Sequence, residues 1–300
     1  MKKILLSISA VTAMIAMTAT FSACSSDDEQ QSSTTATLVI NASRGDYGGG
    51  TRTLTLVNDI PVASWTASDN VFVYKAGWTD PIGTLTPDLD KTVGIKTKLT
   101  GDLSPSGLNV GDNIEFIMPR ADWDYTGQDG EISSISSKYD YAIATVQVTF
   151  FDQGNKVYGS TAYFKTQQSI IKYNLVYDDN GVRKPFKATS LTIVANSGKI
   201  VTSRSRDGKT VNTGGLVITA NDQTNGTDVF YVALRNDSGS EDTYTLTAKA
   251  ANGGAIYTSA PSQPHNYAFT DYARHEVLMS INDDTHTERD NYVLKDYGTW

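Results

Sequence analysis

Residues 141–164 read YAIATVQVTFFDQGNKVYGSTAYF. Val146, Val148 and Phe150 alternate with Thr145, Gln147 and Thr149, which is the period of a half-buried strand. Asp152-Gln153-Gly154-Asn155 follows as a turn signal, and Lys156 to Phe164 runs on as a second strand. The stretch predicts a hairpin that closes one domain.

The same period recurs on either side. Leu54 and Leu56, then Val71 and Val73 with Phe72 and Tyr74, repeat it upstream. Threonine, valine and tyrosine dominate these segments, and Gly, Asn, Asp and Ser gather between them. Helical spacing is scarce. Gly101 to Val110, which contains Pro105, reads as a loop, and so does Trp123 to Gly130. Downstream, Ile170–Tyr177, Ser190–Ala195, Leu216–Ala220, Val229–Leu234, Tyr244–Ala248 and His275–Ile281 form a second set of strands. An all-β chain of two β-sandwich domains is expected, over 37–163 and 164–281.

The ends read differently. Met1-Lys2-Lys3 precedes an apolar or small stretch from Ile4 to Ala23, so residues 1–23 are expected to be a signal peptide. Phe21-Ser22-Ala23-Cys24 resembles a lipobox, which would make Cys24, the sole cysteine, an acylated anchor after cleavage. No cysteine then remains for a disulfide. Ser25-Ser26-Asp27-Asp28-Glu29 resembles the acidic tag that routes some lipoproteins to the outer face of the outer membrane. Residues 24–36 are too polar to fold and are expected to serve as a tether. Loss of the two leader lysines takes the formal charge from −8 to −10. An acidic surface with no dense Lys/Arg cluster in the sequence makes nucleic acid an unexpected partner.

Catalytic chemistry is not visible. His265, His275 and His286 stand apart without ligand spacing, and Asp283-Asp284 reads as a solvated turn, so no metal or other cofactor is expected. There is no nucleophile elbow, phosphate loop or dinucleotide fingerprint. The chain reads as non-enzymatic. Arg44-Gly45-Asp46 matches an integrin-binding tripeptide at the level of chance.

Thr51-Arg52-Thr53-Leu54 followed by Ala63-Ser64-Trp65-Thr66-Ala67-Ser68-Asp69-Asn70-Val71-Phe72-Val73-Tyr74 resembles the start of fimbrillin-family proteins. Ala162-Tyr163-Phe164-Lys165-Thr166-Gln167-Gln168-Ser169-Ile170-Ile171-Lys172, with Ser190-Leu191-Thr192-Ile193, resembles the family's entry to its second domain. The resemblance implies two transthyretin-like β-sandwiches and a lipoprotein-derived subunit of type V pili at the cell surface. It also implies removal of the first strand, Thr37 to Ala42, by an arginine-specific protease, and filling of the vacated groove by a neighbour's strand. Arg52, with Thr53 as the new N-terminus, is the expected cut, and Gly48-Gly49-Gly50 supplies a flexible approach to it. Arg44 is the second site, and an anchor subunit would be cut at neither. Stalk, tip and anchor positions stay open, as does a homopolymeric or mixed fimbrium.

The tail, residues 282–300, holds a candidate donor strand in which Tyr292, Leu294 and Trp300 share one face. An edge strand folded back on its own domain is the alternative. A second function is also open: a surface carbohydrate-binding lipoprotein that stacks sugars or other surface glycans on loop tryptophans Trp78 and Trp123, if these are not core. Trp65, just before an alternating strand, is expected in the core.

Overall fold

The computed structural model describes residues 35–44, 53–57, 60–104, 107–251, 254, 256–258, 272–279 and 295–296. The expected leader, Cys24 and Arg52 lie outside them, as do Tyr292, Leu294 and Trp300. The described chain is mostly β. Its first half contributes β1 (Ala36–Arg44), β2 (Thr53–Val57), β3 (Ile60–Ser64), β4 (Val71–Lys75), β5 (Gly83–Val93), β6 (Lys96–Leu103), β7 (Asn113–Met118) and β8 (Trp123–Asp124). A short helical turn, α1 (Ile132–Ser134), continues as a π turn over Ile135–Tyr139, before β9 (Ala142–Phe151), β10 (Lys156–Gly159) and β11 (Ala162–Thr166).

The quoted hairpin forms as β9 and β10, with Val157 opposite Phe151. Its turn is built by Asp152, whose Oδ1 accepts the amides of Gly154 and Lys156, both at 2.8 Å. Those amides, Lys156 first, hold the Asp152 carboxyl below its ordinary range. The single strand expected over 156–164 is broken into β10 and β11, because the register slips at Gly159 and the chain re-pairs through Ser160. The Ser160 amide donates to the Gln147 carbonyl at 2.9 Å, and Ser160 Oγ accepts the Gln147 amide at 3.1 Å.

One sheet encloses the first core. Neighbouring strands run antiparallel in the order β9, β7, β4, β5, β6, and β9 also pairs with β10 and β11. β1 then bonds to β6 on one edge and to β10 and β11 on the other, so the sheet closes on itself. A sandwich of two separate sheets was expected here. The ring replaces it because β1 is hydrogen-bonded along both edges. Leu38, Ile40, Leu85, Leu99, Phe116, Val146 and Val157 fill it, with Trp65 edge-on to Phe164 at 5.8 Å. The loop expected from Gly101 is still β6: Gly101 faces Leu38, and a Cβ there would lie 2.2 Å from the Thr84 carbonyl oxygen.

The second half contributes β12 (Ser169–Asp179), β13 (Val182–Pro185), β14 (Ala188–Ala195), β15 (Val201–Arg204), β16 (Val211–Thr213), β17 (Leu216–Thr219), β18 (Val229–Leu234), β19 (Tyr244–Ala250), β20 (Ile256–Thr258), β21 (Tyr272–Leu278) and β22 (Lys295–Asp296). β12 is central, antiparallel to β18 and β13 and parallel to β21, which in turn pairs with β22. β17, β14, β19 and β20 make a second sheet. Both supply a core that includes Ile171, Tyr173, Leu191, Ile193, Phe230 and Leu246.

A boundary at residue 163 does not separate the two cores. Trp123, Tyr125, Ile135, Tyr139 and Tyr141 belong to the second core, and β8 pairs with β15. The buried Gln128 explains why the segment stays there. Its Nε2 donates to the carbonyls of Tyr125 and Ala233, each at 2.9 Å, and its Oε1 accepts the Ala233 amide at 2.7 Å. The side chain thus behaves as a strand edge for β18.

Candidate strand-exchange site

β1 alternates strictly. Ala36, Leu38, Ile40 and Ala42 are buried in the first core, while Thr37, Val39 and Asn41 face outward. Its ladder with β6 runs from Ala36 opposite Leu103 to Ser43 opposite Lys96. On the other edge Thr37, Leu38 and Val39 face Lys156, Val157 and Tyr158, and Ala42, Ser43 and Arg44 face Ala162, Tyr163 and Phe164. These contacts to β10 and β11 are the ring's parallel pairs; its other ladders are antiparallel.

The walls of this slot are apolar. Leu99 and Leu103 of β6, Val157 of β10, and Ala162 and Phe164 of β11 are all buried. Burying Leu38 and Ile40 contributes about 1.5–3 kcal/mol each, and each net backbone hydrogen bond roughly 0.5–1.5 kcal/mol. β1 is therefore well held, and its loss would leave an open groove with two unpaired strand edges.

β1 is the first described strand, and after Arg44 the next described residue is Thr53, where β2 begins. β2 and β3 form a separate two-stranded sheet, with Thr53 opposite Ser64, that among the described residues has no ladder to the ring. A backbone cut between Arg44 and Thr53 would separate β1 from β2 in the chain. Arg44 itself is the last paired residue of β1, opposite Phe164.

The two stacking tryptophans separate. Trp123 is only 7 % exposed, which corrects its reading as a loop platform. The guanidinium carbons of Arg235 and Arg204 lie 4.7 and 5.2 Å from its ring centre, so two cations already stand over the ring. Trp78 is 40 % exposed and borders a shallow depression of about 330 Å³ with Pro81 and Ile82. Its carbonyl accepts from Arg206, and Lys75 Nζ lies 6.0 Å from its ring. Of the tail, only Lys295–Asp296 is described; these two residues pair with Glu276 and His275.

One feature escaped the sequence reading. Lys91, Lys96 and Lys98 border a single cleft on the outer face of β1, where no basic cluster was expected. The signal was the run KTVGIKTK over 91–98, in which a tight hairpin brings three lysines together.

No protein-family model matches the chain. No curated protein matches its sequence. Several solved structures are similar to it at low identity. A Bacteroides uniformis protein, provisionally named a cell adhesion protein, is 12 % identical, with 87 % of this chain and 96 % of its own covered and a TM-score of 0.47. A similarly named protein of Parabacteroides distasonis is 11 % identical over the same shares, with a TM-score of 0.45. A fimbrial protein of Bacteroides ovatus is 12 % identical, covered over 83 % of this chain and 50 % of its own, with a TM-score of 0.37.

Proposed function

We propose that the chain is a structural and adhesive subunit of a cell-surface fimbrium, assembled by exchange of its first strand. The observation that supports this reading is the position of β1. It comes first in the described fold, closes the ring by pairing on both edges, and precedes residues 45–52 and β2 in the chain. Proteolysis after Arg52, or after Arg44, would release it and open an apolar groove with two strand edges. A neighbour's strand would refill that groove through backbone hydrogen bonds and alternating side chains.

The groove asks for a particular occupant: two large apolar side chains, in place of Leu38 and Ile40, flanked by small ones in place of Ala36 and Ala42. Tyr292 and Leu294 of the tail offer two large side chains at that spacing, with Trp300 farther along the same face. The sequence resemblance to fimbrillins points the same way, as does a lipid anchor at Cys24 that would carry the subunit to the outer membrane before assembly. The partners are then further fimbrial subunits, of this chain or of related ones.

N-terminal sequencing of fimbriae sheared from cells tests this. A start at Thr53, or at Gly45 for the second site, is the expected result. Fimbriae whose subunits of this chain all begin at Cys24 would overturn strand release.

A further inference from the structure

We infer that the outer face of β1 and β6 is a binding site for an anionic saccharide. The site is a cleft of about 690 Å³, within the range of small-ligand pockets, with Asn41, Ser43, Lys91, Lys96, Lys98 and Tyr163 around it.

The ladder explains why these side chains meet. Leu38, Ile40 and Ala42 point into the ring, so Asn41 projects from its outer face, while Ser43 lines the cleft but is only 8 % exposed. Thr97 and Leu99 of β6 are buried, which turns Lys96 and Lys98 outward. Lys96 is directly opposite Ser43, Lys98 opposite Asn41, and Tyr163 of β11 opposite Ser43 on the other edge. Three adjacent strands therefore present one row of polar groups. The β5–β6 hairpin adds the rim: its register slips between Asp88 and Val93, which raises Leu89, Asp90 and Lys91 away from the ladder.

Charge and chemistry select the ligand. Among the described residues none of the three lysines has an ion-pair partner, and no carboxylate lines the cleft. Asp88, opposite Lys98 on β5, accepts instead from the Asp90 amide at 3.2 Å, and Asp102 accepts the Thr37 hydroxyl at 3.0 Å. Three ammonium groups thus stand together on a chain whose formal charge is −8, and an anion would concentrate there. Beside them the exposed Asn41 carboxamide both donates and accepts, as recognition of sugar hydroxyls requires. The Tyr163 ring is 63 % exposed at the edge, an apolar face with a polar tip on which a sugar ring can lie. A ligand that combines negative charge, hydroxyls and C–H faces is an acidic saccharide, its charge carried by carboxylate or sulfate.

Asn41 and Ser43 belong to β1, so the site exists only while β1 is in place, and it is tested on the uncut chain, where failure of strand release would not affect it. The mature, uncut protein is titrated calorimetrically with size-matched hexasaccharides: a sulfated one, a polyuronate and a neutral glucan. The expected result is binding of at least one acidic hexasaccharide, weakened by added salt, with the neutral glucan at least about tenfold weaker. Whether the sulfated or the uronate ligand binds assigns the anionic group. The Lys96→Ala/Lys98→Ala pair is expected to lose about tenfold or more with an unchanged melting temperature, and Tyr163→Ala to weaken binding without changing its salt dependence. Equal binding of the neutral glucan, no binding of either acidic one, or unchanged binding by the lysine pair overturns the inference. So does equal competition by a polyglutamate peptide, which would make the cleft a generic anion surface.

Discussion

The Cδ1 of Ile40 lies 2.8 Å from where Gly159 would carry a Cβ, so the largest side chain at the middle of β1 occupies space that only a glycine leaves free. The same Cβ would meet Val146 at 2.6 Å and the Gln147 carbonyl oxygen at 2.9 Å, and backbone cannot swing aside. Gly159→Ala is expected to destabilise the protein by about 1–3 kcal/mol, as overpacking does. Of the two side chains in the way, Val146 and Ile40, Ile40 is the longer and meets the new Cβ with its tip, so part of the damage should fall on β1. Limited proteolysis should then cut faster between Arg44 and Thr53 than in the parent. Combining Gly159→Ala with Ile40→Ala should cost less than the two single changes together. Additive losses would mean that the two residues do not share the site.

Arg206 ties the second half of the chain to the ring. Its guanidinium carbon lies 4.0 Å from the Tyr74 ring centre, Nη2 is 3.1 Å from Glu115 Oε2, and Nη1 donates to the Trp78 carbonyl. The Arg206 amide donates to Asp122 Oδ1 at 2.9 Å. Stacking plus a fork of donors is a job for arginine, since lysine offers a point charge and no plane. Glu115 is partly solvated, so Arg206→Ala is expected to cost only about 1–2 kcal/mol. Arg206→Lys should recover little of it. Thermal denaturation gives the size, and hydrogen exchange should quicken at residues 74–82; a full rescue by lysine would show that only the charge matters.

The strands that were legible from sequence are those with clean alternation: β9 with its Asp152 turn, β14, β18 and β19 all fall where Val146–Phe150, Ser190–Ala195, Val229–Leu234 and Tyr244–Ala248 place them. Closure of the ring was not legible, because β1 and β11 are more than a hundred residues apart and parallel, and period two says which face a residue takes but not which strand lies beside it. The destination of residues 123–141 was hidden for a similar reason. Its anchors are Gln128 and Gln168, two polar side chains that read as surface but are buried with their bonds made; Gln168 Oε1 accepts the Tyr141 amide at 3.1 Å. Of the candidate site, the alternation of β1 was visible in ATLVINA, whereas the lysine cleft needed the β5–β6 register to bring it together.

Acid should weaken the second core through Asp242. Burial alone would push this carboxyl up. Hydrogen bonds from Ser197 Oγ, from Asn236 Nδ2 at 2.9 Å, and from the amides of Ser197 and Thr243 at 3.2 and 2.9 Å outweigh it and hold the group below its ordinary value. A carboxyl depressed in the folded state contributes stability that is present above its unfolded pKa and lost as pH falls through the folded one, here below about pH 4. The neighbouring Tyr244 hydroxyl, which accepts from Asn236 at 2.6 Å, is pushed up to about 12 by burial and takes no part in that range. Asp242→Asn is expected to lower stability at neutral pH and to flatten the loss on acidification. Denaturation midpoints at neutral and acid pH check both; an unchanged acid slope would place the titration elsewhere.

Trp123 and Trp78 should answer differently to the same substitution. Trp123→Ala removes a buried ring that contacts two guanidinium groups and lies 6.1 Å from the Tyr141 ring centre, and is expected to cost about 3–5 kcal/mol. Trp78→Ala leaves a half-exposed loop position and should change stability by about 1 kcal/mol or less. If glycans stack on a tryptophan of this chain, only Trp78→Ala should abolish that binding in a protein that remains folded. A glycan array run with parent and both variants, alongside melting curves, checks the pair. Loss of binding in Trp123→Ala at an undisturbed melting temperature would contradict its burial.

Deleting residues 291–300 separates a donor strand from a folded-back edge. The pairing of Lys295–Asp296 with β21 is two residues long, and short edge strands contribute little by themselves. The groove left by β1, by contrast, offers two edges and the space of Leu38 and Ile40. The truncated protein is therefore expected to melt within a degree or so of the parent while, after arginine-specific proteolysis, failing to form filaments that the parent forms under the electron microscope. Leu294→Asp should reproduce that failure, since a carboxylate in an apolar groove is costly to desolvate. A shift of about 1 kcal/mol moves the melting temperature of a domain this size by roughly 2–4 °C. A fall of that order or more on truncation, with filaments still forming, would assign the tail to its own domain and leave the groove to another donor.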